Sequence, residues 1–316
     1  MDYLGLGALV VGCVIFALLA YRAVRARRLW LKLVGGIPSA LLALVFGGAA
    51  ALAFIGYNKL NAVRPNPVPQ LTATMNTEAI TRGETFARTC AGCHSSNGNL
   101  PLTGQDFLGE DSGPPIGTLW AANLTPAQLA AWSDGEIVRA IREGVGRDGR
   151  SLMIMPASAF HGMSDDDVLA LVAYLRSQPA VEPSSPPRQV NVLGAILLAA
   201  VIPDSIFSAQ APITSPIAAP PRASTPEYGG YLIHLGCQDC HGSDFRGLAA
   251  GGDGPPPGPD LIDFAKTHTV AEFVSTLRTG VKPDGTPLNE DMPWRDLEKF
   301  SDDDFAAMAL YLQTLN

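Results

Sequence analysis

The sequence is poor in charge. Only 16% of its 316 residues are Asp, Glu, Lys or Arg, against 47% hydrophobic. So apolar a balance points to membrane segments. Two stretches lack charge altogether, Leu4 to Ala20 (LGLGALVVGCVIFALLA) and Leu33 to Tyr57 (LVGGIPSALLALVFGGAAALAFIGY). The first is at the short limit for a spanning helix; the second is long enough even with tilt. Between them, YRAVRARRLWLK holds five basic residues and no acid. Such a loop is expected to stay cytoplasmic, with both flanks on the other side. The second stretch also has the outline of a signal peptide, but its apolar run is long for one. Two retained transmembrane helices are therefore expected.

Basic residues become scarce further along. Residues 1–64 carry seven Lys/Arg and one acid, a net +6, whereas the remainder carries 15 Lys/Arg and 29 acids, a net −14. An acidic extramembrane part disfavours nucleic acid and favours basic partners through electrostatic steering. Long period-two alternation is also missing, which argues against a sheet and for an all-α fold.

Cysteine is rare, and four of the five are spent on one pattern written twice: CAGCH at Cys90 to His94 and CQDCH at Cys237 to His241. Cys-x-x-Cys-His suits zinc, a redox dithiol, or covalent haem with His on the iron. Zinc needs a second ligand pair nearby, and neither unit has a further Cys. A thioredoxin-like pair calls for a preceding strand, whereas NTEAITRGETFART before Cys90 reads as a helix. Two c-type haems are the remaining reading. The fifth cysteine, Cys13, lies inside the first apolar stretch and is expected to be a small apolar packing residue.

Haem iron in an electron carrier commonly takes His and Met. An internal repeat chooses the methionines. MPASAFHGMSDDDVLALVAYL from Met155 aligns with MPWRDLEKFSDDDFAAMALYL from Met292 at an offset of 137, and GEIVRAIREGVGRDGRSL aligns with AEFVSTLRTGVKPDGTPL at 136. Met155 and Met292 thus become the distal ligand candidates, with Met153 the rival in its unit. Met308 falls on an i, i+3, i+4, i+7 apolar face and is expected in the core. Met163 and Phe300 stand just before a helix cap, placed to staple onto Val168 and Phe305. Ser164 and Ser301 are expected N-caps, followed by three Asp residues where the helix dipole favours them. Gly83 and Gly230, each seven residues before the first Cys, are candidates for a close crossing of first and last helices.

These residues resemble two tandem class I cytochrome c domains, over roughly residues 75–180 and 225–316. WSDGEIVRAIREGVGRDG…MPASAFHGMSDDDVLALVAYLRS is similar to domains of bacterial membrane-bound cytochrome c subunits serving alcohol and aldehyde dehydrogenases. Those usually carry three haem motifs, against two here; two N-terminal helices before two such domains also resemble the dihaem subunit of cbb-type oxidases. The resemblance implies thioethers at Cys90, Cys93, Cys237 and Cys240, proximal ligands His94 and His241, and distal Met155 and Met292. It implies export before haem attachment, and a proline carbonyl orienting each proximal His, with Pro114, Pro115 and Pro259 as candidates. His161, His234 and His268 fit no ligand position.

The expected organisation is a membrane anchor over 1–64, a first haem domain over 65–187, a linker over 188–224 and a second haem domain over 225–316. Within the linker, VNVLGAILLAAVIPDSIF is too short to span a bilayer. It is either a helix packed on the haem domains or an element that meets the membrane surface or a partner subunit. With both axial positions filled, the chain is expected to be no enzyme. It would relay single electrons between redox partners, either membrane complex subunits or small carriers, from the extracytoplasmic face of the cell membrane. A dihaem peroxidase, with one haem opening to substrate, is the alternative.

Overall fold

The computed structural model describes residues 2–107, 116–248 and 257–316. The chain is mostly helical. In order it forms α1 (Tyr3–Val24), a π-type turn (Leu31–Gly36), α2 (Ile37–Asn61), α3 (Thr77–Ala87), α4 (Ala91–His94), α5 (Pro126–Leu129), α6 (Asp134–Glu143), α7 (Ala157–Phe160) and α8 (Asp165–Ser177). There follow α9 (Val192–Ala200), α10 (Pro226–Ile233), α11 (Gln238–His241), α12 (Leu261–Thr267), α13 (Val270–Thr279) and α14 (Asp302–Thr314). Extended pairing among the described residues is confined to two-residue strands and isolated bridges; Gly117–Thr118, for example, runs antiparallel to Gln189–Val190. The elements fall into two compact units, one of residues 1–63, 106–121 and 185–206, the other of 64–105, 122–184 and 207–316.

In the first unit α1 and α2 form an antiparallel hairpin. Asp2 caps α1 by accepting from the Gly5 amide, and its own amide donates to the Tyr57 hydroxyl at the far end of α2. Midway, the Phe16 and Phe46 rings lie 5.5 Å apart and Cys13 packs on Gly47, whose absent Cβ would sit 3.2 Å from the sulfur. Small residues let membrane helices approach closely in this way. The outer faces leave Val14, Leu18, Leu44, Val45 and Phe54 exposed. Both helices are long and apolar enough to cross a membrane.

Helix α9, formed by the apolar linker segment, packs on the last turns of α2. A Cβ on Gly56 would fall 1.9 Å from the Ala195 carbonyl oxygen, so only glycine allows the approach. Asn191 caps α9 through the Gly194 amide. An ion pair from Lys59 to Asp204 (2.8 Å) and a bond from Arg188 to the Leu60 carbonyl (2.9 Å) flank the contact.

The second unit contains the repeat in duplicate. In the first copy α3 crosses α8 where a Cβ on Gly83 would lie 2.0 Å from the Ala170 carbonyl oxygen. In the second copy α10 crosses α14 at Gly229, 1.8 Å from the Ala307 carbonyl oxygen by the same measure. The crossing glycine there is one residue earlier than the spacing suggests. Gly83 alone meets both the Ala170 carbonyl and the Tyr174 Cβ, whereas the second copy divides these contacts between Gly229 and Gly230, the latter lying against the Tyr311 ring.

Ser164 and Ser301 cap α8 and α14 as expected, accepting from the Asp167 and Asp304 amides. Met163 and Met308 are buried in a core that runs through both copies. Burial of one such side chain stabilises the fold by about 1.5–3 kcal/mol. Within the first copy Arg82 grips both oxygens of Asp167 (2.7 and 3.0 Å); across to the second copy Arg82 donates to the Tyr228 hydroxyl, and the Tyr231 hydroxyl donates to Asp167 at 2.7 Å. Lys299–Glu84 and Arg88–Glu298 ion pairs rim this contact.

Candidate functional site

Each Cys-x-x-Cys-His sequence folds as one helical turn. Cys90 precedes α4 and Cys237 precedes α11, each as the N-cap residue. At i, i+3 and i+4 the two thiols and the imidazole share one side of the turn. Cys90 and Cys237 also pack against the apolar core. Burial pushes both of these thiols up to about 12, and raises Cys93 and Cys240 as well. Zinc requires thiolates and a closed ligand set. Among the described residues no cluster of three or more His, Cys, Asp or Glu stands ready for a metal ion.

Both histidines are held the same way. His94 Nδ1 lies 2.7 Å from the Ala122 carbonyl and His241 Nδ1 lies 2.8 Å from the Pro259 carbonyl. A carbonyl only accepts, so Nδ1 carries the proton and Nε2 keeps its lone pair. Burial lowers the pKa of each imidazole, opposed in part by the carbonyl bond. Neutral imidazole with a free Nε2 is the form that ligates iron. Pro259 is one of the three prolines expected in this role. For His94 the partner is the backbone of Ala122 instead; Pro114 and Pro115 lie outside the described residues. Nothing in the sequence marks Ala122, because any residue can offer a carbonyl.

The backbone around each motif repeats too. Gly104 and Gly247 donate to the His94 and His241 carbonyls, at 2.7 and 2.8 Å. Gly258 lies flat on the His241 ring, where a Cβ would come within 2.6 Å of Nδ1.

Met155 and Met292 occupy equivalent loops. Upstream, Leu152 donates to Gly144 and Leu288 to Gly280, both at 2.7 Å, closing matched hairpins after the left-handed C-cap glycines of α6 and α13. Downstream, Ala157 donates to the Met155 carbonyl and Trp294 to the Met292 carbonyl, both at 2.8 Å. Pro156 and Pro293 share one backbone conformation, at φ −78°, ψ 58° and φ −81°, ψ 49°. Both methionine side chains are partly buried. Met153, by contrast, pairs its backbone with Phe207, and its counterpart in the repeat is Asn289. The other histidines bond locally: His161 to the Arg142 carbonyl, His234 to Gly230, His268 to Phe264.

The residues present fit covalently bound haem: paired thiols in apolar surroundings, a neutral imidazole with its free nitrogen set by a carbonyl, and a thioether on a fixed loop in each copy. Comparison with known proteins agrees. Residues 80–179 and 227–316 match the family described as Cytochrome c. A nicotinate dehydrogenase subunit of Pseudomonas putida is 36% identical over 159 residues, 48% of this chain and 13% of that protein. The gluconate 2-dehydrogenase cytochrome c subunit of Pantoea cypripedii is 35% identical over 105 residues, 31% of this chain and 23% of that protein. The fructose dehydrogenase cytochrome subunit of Gluconobacter japonicus is 29% identical over 136 residues, 40% of this chain and 27% of that protein. The chain therefore spans well under a third of the length of these relatives. The two matched ranges cover more than half of it and coincide with the two copies of the haem-motif turn and Met-Pro loop, and on that ground the chain belongs to the cytochrome c family.

Proposed function

We propose that the chain is a membrane-anchored dihaem cytochrome c that relays single electrons outside the cytoplasm, as the electron-transfer subunit of a membrane redox complex. The observation that carries this reading is the duplicated Cys-x-x-Cys-His turn whose imidazole is tied through Nδ1 to a carbonyl. Cys90 and Cys93 hold one haem and Cys237 and Cys240 the other. His94 and His241 offer the proximal nitrogen; Met155 and Met292 offer the distal sulfur. Bound haem c supplies one-electron redox chemistry at iron, at a potential that Met ligation raises.

The protein's own contribution is positional and dielectric. The Ala122 and Pro259 carbonyls fix each ring and increase its basicity. The apolar core keeps water away, and the bonds from Arg82 to the Tyr228 hydroxyl and from the Tyr231 hydroxyl to Asp167 tie the two haem domains together. A His and a Met offered to each haem would leave no open position for a substrate, which favours a relay over catalysis. The domain plan is an anchor over 1–64, haem domains over 65–187 and 225–316, and a linker over 188–224. The basic loop between the two apolar helices supports an extracytoplasmic side for the haem domains. Relatives named as dehydrogenase cytochrome subunits support a dehydrogenase as electron donor. The acidic balance of the extramembrane part supports basic docking surfaces on soluble partners.

The test is haem stoichiometry with ligand accessibility. The mass of the mature chain should exceed the polypeptide by two haems. Reductive titration should take up one electron per haem, and the reduced protein should bind carbon monoxide poorly. One haem, or zinc, sinks the paired reading. Rapid stoichiometric carbon monoxide binding at one haem would replace the relay with an enzyme of the peroxidase type.

A further inference from the structure

The short helix α9 is apolar on every side. From Val192 to Ile202 (VLGAILLAAVI) the chain has no polar side chain. Its Gly194, Ala195 and Leu198 are buried, with Ala195 seated on Gly56 of α2. The opposite stripe, Leu193, Leu197, Ala200 and Val201, follows i, i+4, i+7, i+8 spacing, with Leu193 43% and Val201 70% exposed. A water-facing helix normally carries polar residues on that stripe; one that is apolar all round is covered by something.

The position of α9 names the cover. It rests on the last turns of α2, and its Val192 meets the first turn of α1 at Gly5. These two helix ends lie together, as the bond from Asp2 to the Tyr57 hydroxyl shows. The exposed stripe of α9 therefore continues the exposed apolar faces of α1 and α2, at the level where those faces end. Polar and charged groups gather just beyond: Lys59 paired with Asp204, Arg188 on the Leu60 carbonyl, and Asn191 at the helix cap. An apolar element rimmed by charges at the end of a spanning hairpin has the layout of an interfacial segment.

We propose that Val192–Ala200 is a third membrane-embedded element, a short helix lying in the extracytoplasmic lipid leaflet with Leu193 and Val201 in contact with acyl chains. The proposal rests on the reading of α1 and α2 as membrane spans. Its consequence is that the chain returns to the bilayer between its two haem domains, so that each domain is joined to a membrane-held segment of its own.

The test is to reconstitute the full-length haem-loaded protein in phosphatidylcholine vesicles containing a phosphatidylcholine with a photoactivatable diazirine in its acyl chain. After illumination, lipid adducts are mapped by peptide mass spectrometry. Adducts are expected on α1, on α2 and on the 192–202 segment, and not on α14. Leu193→Asn combined with Val201→Asn leaves the face packed on α2 untouched; it should reduce labelling of 192–202 several-fold while labelling of α1 and α2 persists. Labelled α1 and α2 with a clean 192–202 segment would overturn the proposal and leave the anchor standing. Absence of adducts from α1 and α2 as well would overturn the anchor reading and the proposal with it. Unchanged labelling of 192–202 in the double variant would show that Leu193 and Val201 are not the lipid-contacting residues, and would overturn the placement.

Discussion

The two cytochrome c domains share a motif-turn and Met-Pro-loop framework and differ in what surrounds it. Val145 and Val281 hold the same place in the repeat, at the start of the hairpin that leads to the distal methionine. Val145 is fully buried and Val281 is 39% exposed. In the first domain two outside segments close over that hairpin. Asn66 donates to Glu143 at 2.7 Å; Gln210 donates to the Glu143 carbonyl and Ile213 to its carboxylate. Ser208 adds a bond to the Leu152 carbonyl, and Ala209 one to the Ser151 hydroxyl. Among the described residues nothing comparable covers 281–291, which stay mostly exposed. Duplication thus copied the Met-Pro loop, while among the described residues the clamp over it is found in the first domain.

The largest expected effects test whether the two loops are equal as ligand carriers. Met155→Ala and Met292→Ala should each remove half of the sulfur-to-iron charge-transfer band in the near infrared and lower the potential of one haem only. If Met153→Ala removes the first share while Met155→Ala does not, the equivalence fails by two residues. Next comes the joint between the domains. Asp167 is 2% exposed and paired with Arg82, whereas its counterpart Asp304 is more exposed and caps its own helix. Asp167→Asn should cost about 3–5 kcal/mol in denaturant unfolding because it strands a buried guanidinium. Asp304→Asn should cost clearly less; equal losses would break the asymmetry.

The clamp itself can be tested at Glu143. Sulfur ligation should be lost at lower denaturant in the second domain than in the first, read from the near-infrared band. Glu143→Ala should narrow that gap by about 1–3 kcal/mol, since it leaves the Asn66 and Ile213 donors unpaired. The smallest effect tests what the copies share. Ser133 with Glu136 and Thr269 with Glu272 form capping boxes at the starts of α6 and α13. Ser133→Ala and Thr269→Ala should each cost about 1 kcal/mol, and a large inequality would show that the shared framework is not energetically equivalent.

Much of the duplicated motif framework was legible in the sequence because it is local. The Cys-x-x-Cys-His turn, the caps at Ser164 and Ser301, and the offsets of 136 and 137 are statements about neighbours along the chain, and the backbone bonds repeat at the same offsets. What the sequence hid is long-range or carried by the backbone. The Ala122 carbonyl on His94 has no side-chain signature. The straps at Asn66 and at 208–213 are ordinary polar segments until they meet Glu143. The crossing glycine of the second copy slipped from Gly230 to Gly229 because counting back from cysteine assumes equal helix lengths. The apolar linker segment declared its hydrophobicity but not its seat; Gly56, one glycine among several in a small-residue run, proved to be where it lands.

The crossings at Gly83 with Ala170 and at Gly229 with Ala307 also set an order of events in time. Each joins the helix before a haem motif to the last helix of the same domain, so each domain closes by a contact distant in sequence, and such closures come late. A chain delivered N-terminus first presents Cys90 and Cys93 while α8 is still to come, and Cys237 and Cys240 while α14 is still to come. During that interval the thiols lie on an unclosed segment; in the closed domains Cys93 stays exposed and Cys90, Cys237 and Cys240 are half-buried. The closing helix therefore narrows access to the thiols without sealing them, and they are most open before it arrives.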